Sequence, residues 1–203
     1  MLHAVSGAGR ARFAEALAQM HRDRKIVFVD RLGWDVPVVD GEYEIDQFDR
    51  EDAVYLLRLD ELGRHAGSLR LLPTSGPHLL ADVFPQLCER GVPRGPHIWE
   101  ITRLCTAPDV GDPKSVRRDL MLGMVEFALA NGVTRYTCMT HVPYLSGVLA
   151  AGWDCAPLGL PQLHGGVMIG AVSIEMTPET LAFLRAKTGI TAPVLNTEAR
   201  HAA

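Results

Sequence analysis

The chain has 203 residues, 47% of them hydrophobic and 22% charged, with a formal net charge of -4. Such a composition excludes intrinsic disorder and a disulfide miniprotein. Twenty Lys and Arg against twenty-four Asp and Glu argue against a protein that coats nucleic acid by dense phosphate neutralisation. The length favours a single domain over residues 1–203.

The longest uncharged apolar stretches, 143–153 and 165–174, fall short of the ~20 residues that a membrane span needs, so none is expected. The N-terminus lacks the basic and long apolar regions of a secretory signal, which points to the cytoplasm. Cys88, Cys105, Cys138 and Cys155 lie far apart, without C-x-x-C or zinc-ligand spacing, and read as reduced, buried, small apolar residues.

In chain order, a strand at 2–5 precedes a helix carrying Phe13, Leu17 and Met20 at helical spacing, and Arg24 continues that stripe. Strands follow at about 53–59 and 67–72, joined by a turn at Gly63, and Pro73, Pro77 and Pro85 break the chain after them. A central strand is expected at 98–105. Ser115 is the expected N-cap of a helix running to about Asn131 and ended by Gly132. Next come a strand at 133–140, a helix at 144–151 stopped by Gly152, a strand at 167–176, a helix at 178–187 and a loose tail after about 191. Strands adjacent early and alternating with helices late suggest a three-layer sandwich on one mixed sheet.

Gly7-Ala8-Gly9 lacks the third glycine and the acidic residue of a dinucleotide fingerprint, and no P-loop, H-E-x-x-H, G-x-S-x-G or EF-hand pattern occurs. The informative segment is 24–49. Arg24 on an apolar stripe requires an anionic partner or the polar wall of a cleft, and Asp46 and Asp49, three apart, are the natural partners. Phe28 and Trp34 could add aromatic faces for a cation. A structural ion-pair network explains the same charges as well as a site does.

In strand 98–105, Glu100 and Arg103 interrupt opposite apolar faces, so a shared site requires an edge or a bulge near Thr102. Arg70 interrupts an apolar run in the same way.

The run Arg24, Phe28, Trp34 with Leu32-Gly33-Trp34, then Asp46-Gln47-Phe48-Asp49, Arg70-Leu71, Phe84-Pro85 and Glu100-x-x-Arg103, resembles the acyl-homoserine-lactone synthase family, the bacterial autoinducer makers. The resemblance implies an α+β fold, an α/β/α sandwich whose mixed central sheet is like that of N-acetyltransferases and splayed for a pantetheine thioester. It also implies acyl transfer from acyl-CoA or an acyl-carrier protein to the amine of S-adenosylmethionine, then lactone closure with release of methylthioadenosine. S-adenosylmethionine enters as substrate, with no tightly bound cofactor.

By that resemblance Glu100, Arg103, Asp46, Asp49, Arg24 and Arg70 are the catalytic set, Glu100 being the first choice of general base. Phe28, Trp34, Phe84 and Arg103 are the expected substrate contacts, Trp34 on a mobile lid hinged at Gly33 and at Asp40-Gly41. An acyl tunnel would be lined by Leu104, Thr137, Met139, Thr140, Met121 and Val125. The R-x-x-G-x-G/A loop of acetyl-CoA enzymes is missing from 109–118, where Lys114, Arg117 and Arg118 suit CoA phosphates or an acidic carrier equally. Two other readings stay open: an N-acyltransferase acting on another amine, and a non-catalytic thioester or lactone binding protein.

Overall fold

The structure, a computed structural model, describes residues 1–196. Its elements begin with β1 (Leu2–Val5), a 3-10 stretch over Gly7–Phe13, α1 (Ala14–Arg24) and a π-helical continuation over Lys25–Arg31. Then come β2 (Val38–Val39), β3 (Tyr43–Glu44), β4 (Val54–Leu59), β5 (His65–Pro73), α2 (Leu79–Asp82), a 3-10 turn over Pro85–Leu87 and β6 (Ile98–Thr106). The last are α3 (Pro113–Asn131), β7 (Arg135–His141), α4 (Val142–Leu149), β8 (Cys155–Pro157), β9 (Gln162–His164), β10 (Val167–Glu175), α5 (Pro178–Thr188) and β11 (Leu195–Asn196). The fold is α+β on a large mixed sheet, as the sequence suggests.

The described residues divide into two compact units, the first made of residues 1–71, 103–124 and 192–196, the second of 72–102 and 125–191. In the first the strand order is β11-β1-β4-β5. β1 runs parallel to β11 and antiparallel to β4, and β4 is antiparallel to β5. One face packs Val5, Tyr55 and Leu57 against Leu17 and Met20 of α1. Each fully buried side chain of this size is worth roughly 1.5–3 kcal/mol. The opposite face meets α3. A Cβ on Gly67 would lie 2.4 Å from Val116 Cγ1, and one on Gly123 would lie 2.0 Å from Leu2 Cδ2, so both glycines are sites of close approach.

Part of the stretch expected to be a loose tail is a strand, since Leu195 and Asn196 pair with Leu2 and His3. Residues 197–203 of that tail lie outside the described ones. The cap of α3 also differs from expectation. Asp112 Oδ1 accepts from the N–H groups of Lys114 and Ser115, so Asp112 caps the helix and Ser115 lies inside it.

In the second unit β6 pairs parallel with β7 from Ile98↔Arg135 to Ile101↔Cys138. β7 continues to His141 against antiparallel β10, which also carries β8 and β9. Leu80, Phe84, Leu87, Cys88, Ile169 and Ala171 form its apolar cluster, with Met139 packed against it. α5 is bounded as its sequence dictates: Thr177 and Thr180 form a capping box, Pro178 opens the first turn, and Gly189 closes the helix at φ 72°. No helix among the described residues is long and apolar enough to cross a membrane.

Candidate active site

The first unit gathers Arg24, Asp46, Asp49, Arg70 and Arg103 into one buried network. Arg24, at the end of α1 and 1% exposed, donates from Nε to Glu44 Oε2 at 2.5 Å and from Nη1 and Nη2 to the two oxygens of Asp49 at 2.9 and 3.0 Å. Arg70, 0% exposed on β5, holds Asp46 in the same forked way at 2.6 and 3.0 Å and reaches Asp49 Oδ1 at 2.9 Å. Arg103 on β6 donates from Nε and Nη2 to Glu44 Oε1 at 3.0 and 2.9 Å and from Nη2 to Asp46 Oδ2 at 2.8 Å. Three guanidiniums thus face three carboxylates, and the buried charges cancel.

The Asp46–Asp49 loop is shaped by its own acids. Asp49 Oδ2 accepts from the backbone N–H of Asp46, and Asp46 Oδ1 accepts from that of Phe48. Burial alone would raise the Asp49 carboxyl. The charge and hydrogen bonds of Arg24, with the charge of Arg70, outweigh burial and hold it far below the usual carboxylate range. The same carboxylate accepts from the Tyr55 hydroxyl at 2.7 Å, and burial together with that charge raises the phenol.

Above this network lie the aromatic residues. Phe28 belongs to the π-helical turn and is buried, while Trp34 stacks on it at 4.6 Å with an 11° interplanar angle. The Arg103 guanidinium carbon sits 5.7 Å from the Phe28 ring centre and 5.9 Å from that of Trp34. Gly33 just before Trp34 has φ 68°, and Asp40 and Gly41 beyond it have φ 53° and 68°.

Arg103 itself has φ 52°, a left-handed conformation rare for a residue with a side chain. It breaks the alternation of β6: Glu100 and Thr102 are buried, and Cys105, not Leu104, is the next buried side chain. Leu104, an expected tunnel liner, is 42% exposed in consequence. The backbone irregularity expected near Thr102 is therefore at Arg103.

In the second unit Glu100 is 0% exposed, and its two oxygens accept from the backbone N–H groups of Leu79 and Leu80, each at 2.7 Å. It therefore also caps the first turn of α2, a role that no sequence spacing announces. Its register partner is Thr137, 0% exposed, whose hydroxyl donates to Trp99 O at 3.5 Å. Phe84 stands in the apolar cluster with its ring against His164 at 5.0 Å, and Met139 packs on that cluster. Thr140 is half-buried on β7 opposite Gly170, and Met121 and Val125 lie on α3.

Glu44 and Tyr55 went unrecognised in the sequence, and so did His21, whose Nδ1 lies 2.9 Å from the Glu44 carbonyl oxygen. Glu44 did carry a signal: in an extended segment it shares a face with Asp46, two residues on. Lys114, Arg117 and Arg118 are exposed at the start of α3, Arg117 bonded to Pro113 O and Arg118 to Ser115 Oγ.

A family model described as autoinducer synthase matches residues 10–183. An acyl-homoserine-lactone synthase of Ralstonia solanacearum is 35% identical over 196 residues, covering 93% of this chain and 96% of the relative. The solved structure of a CoA-dependent acyl-homoserine lactone synthase, BjaI, with SAM and isopentyl-CoA superposes with a TM-score of 0.89 at 32% identity, covering 97% of this chain and 92% of that one. Another CoA-dependent acyl-homoserine lactone synthase, MesI, gives 0.88 at 31% identity over 97% of this chain and 100% of its own. A putative N-acetyltransferase from Lactobacillus plantarum, 18% identical with a TM-score of 0.60 over 87% of this chain and 99% of that one, shares the fold alone.

Proposed function

The chain belongs to the autoinducer synthase family, and on that footing we propose that it makes an N-acyl-homoserine lactone from S-adenosylmethionine with acyl-CoA as the acyl donor. As an acyl-homoserine-lactone synthase it is an acyltransferase. The carrying observation is the buried network of Arg24, Arg70 and Arg103 with Glu44, Asp46 and Asp49 beside the Phe28–Trp34 stack. S-adenosylmethionine presents a sulfonium, a flat purine, an ammonium and a carboxylate. Aromatic faces suit the first two, carboxylates the ammonium and a guanidinium the carboxylate.

The choice of acyl-CoA is supported by the two CoA-dependent synthases, which match this chain over 97% of its length. Trp34, flanked by Gly33 and by the Asp40-Gly41 turn, serves as a lid that excludes water from the amine and the thioester. Arg103 orients the carboxylates and the methionine carboxylate, because a guanidinium cannot act as a base near neutral pH.

Glu100 takes the proton from the attacking amine, directly or through one water. Its backbone anchors fix one carboxylate orientation, as a positioned base requires. Thr137, Met139, Thr140 and Phe84 contact the acyl chain. Purified protein given S-adenosylmethionine and a panel of acyl-CoA and acyl-carrier-protein donors should release methylthioadenosine and N-acyl-homoserine lactone in step, fastest with a CoA donor. Acylation of some other amine without methylthioadenosine would overturn the reading, and a carrier-protein preference would overturn the donor. Glu100→Gln should lower kcat by about 10²-fold with little change in KM for S-adenosylmethionine.

A further inference from the structure

A second buried polar chain lies beside the network. His65 Nδ1 lies 2.6 Å from Asp23 Oδ2, and His65 Nε2 lies 3.1 Å from Ser68 Oγ. Asp23 is 7% exposed, His65 3% and Ser68 1%. The carboxylate can only accept, so Nδ1 carries a proton, and in the neutral ring Nε2 accepts from the serine hydroxyl. The composition is that of a hydrolytic triad, but a serine buried this deeply cannot reach a substrate.

The placement of these residues gives them another role. In an unbroken strand His65 and Ser68 would point to opposite faces. The register shift between Arg58 and Leu59 sets His65 opposite Leu59, while Ser68 lies opposite Leu57 and Arg70 opposite Tyr55. This bulge turns all three side chains toward α1. At the other end Asp23 immediately precedes Arg24, and one turn earlier Gln19 Oε1 accepts the His65 backbone N–H at 3.1 Å.

We propose that Asp23, His65 and Ser68 are positioning residues that fix the separation of α1 from β5, and with it the spacing of Arg24 and Arg70 as they grip Asp49. The effect on turnover rests on the reading of that network as the S-adenosylmethionine site; the effect on Arg24 does not. A shift of even an ångström between the helix and the strand of such a clamp spoils substrate geometry.

The test compares full-length protein carrying His65→Leu, His65→Asn, Ser68→Ala or, as a packing control on the far face of β4, Leu56→Ala. Asn restores a donor near the position of Nδ1, whereas Leu does not. Two readouts are taken at matched losses of thermal midpoint: solvent exchange of the Arg24 Nε–H by nitrogen-15 NMR, and KM against kcat for S-adenosylmethionine. His65→Leu should speed Nε–H exchange and raise KM about 10-fold with kcat within about threefold. His65→Asn should recover most of both, and Leu56→Ala should show neither. Should His65→Leu fail to fold, Ser68→Ala is expected to show the same pattern more weakly. Arg24 exchange and KM no different from those of Leu56→Ala would overturn the positioning role. Absence of turnover in the wild type would overturn the proposed function instead, and the NMR comparison would still decide the positioning role.

Discussion

Asp49 receives hydrogen bonds from Arg24, Tyr55 and the Asp46 backbone and is paired with Arg70, so its charge is shared among more partners than any substitute can serve. Asp49→Asn keeps the shape but leaves two buried guanidiniums undercompensated, and breaking a buried pair in this way costs about 3–5 kcal/mol. Urea unfolding at neutral pH should show that loss, and a change under about 1 kcal/mol would mean that water replaces the carboxylate. The cysteines are governed by burial in a simpler way. All four are free, and burial pushes the Cys105 and Cys138 thiols up to about 12, whereas Cys155 is raised less and is partly exposed. A thiol-specific disulfide reagent at pH 8 should therefore modify Cys155 first in the native protein and reach Cys105 and Cys138 only on unfolding.

At the scale of elements, β5 is constrained on both faces. On the side facing α3, a Cβ at Gly67 would meet Val116 Cγ1 at 2.4 Å and the Cys105 carbonyl oxygen at 3.0 Å, and the backbone oxygen cannot step aside. Gly67→Ala should destabilise the protein by about 1–3 kcal/mol, read as a lower urea midpoint at an unchanged slope. The helices and long strands were legible in the sequence because their apolar periods of 3.6 and 2 are long enough to read. The two-residue strands of β2, β3 and β11 carry no such period. Neither does the π-helical turn after Arg24, which changes the backbone hydrogen bonds without changing residue types.

The same distinction divides the site. Arg24, Arg70, Asp46 and Asp49 stood out as charges among apolar neighbours. Glu44 did not, because it sits in a run of polar residues, and only the fold reveals that it is 0% exposed. The cap that Glu100 places on α2 was equally hidden, since it joins groups twenty and twenty-one residues apart.

For the whole molecule, the buried ionisable groups together set the pH range of stability. Asp49 is held low in the folded state, so the unfolded chain takes up its proton first, and that stability is present above about pH 4 and is lost as pH falls further. Burial, with the nearby Arg24 charge, also lowers His21, so the acid limb begins as pH drops below about 6.5. Tyr55, Tyr136, Cys105 and Cys138 are raised by burial, and their contribution is full below the unfolded values, about 8.5 for thiols, and is lost as pH rises past them. Urea midpoints should form a plateau between about pH 6.5 and 8.5 with a decline on either side, and Asp49→Asn should flatten the acid decline. Midpoints still rising below pH 5 would contradict this assignment.

The arginine–carboxylate network also bears on the order of events in folding. Its members come from α1, β3, the loop after it, β5 and β6, so no local segment can form it, and closing the loops between residues 24 and 103 must come first. A guanidinium stripped of water before its partner arrives raises the barrier, so the charges join after the apolar faces of α1, β1 and β4 have met. Asp49→Asn should accordingly raise the unfolding arm of a chevron at unchanged slope while leaving the refolding arm almost unmoved. Refolding slowed in proportion to the lost stability would place the network in the nucleus instead.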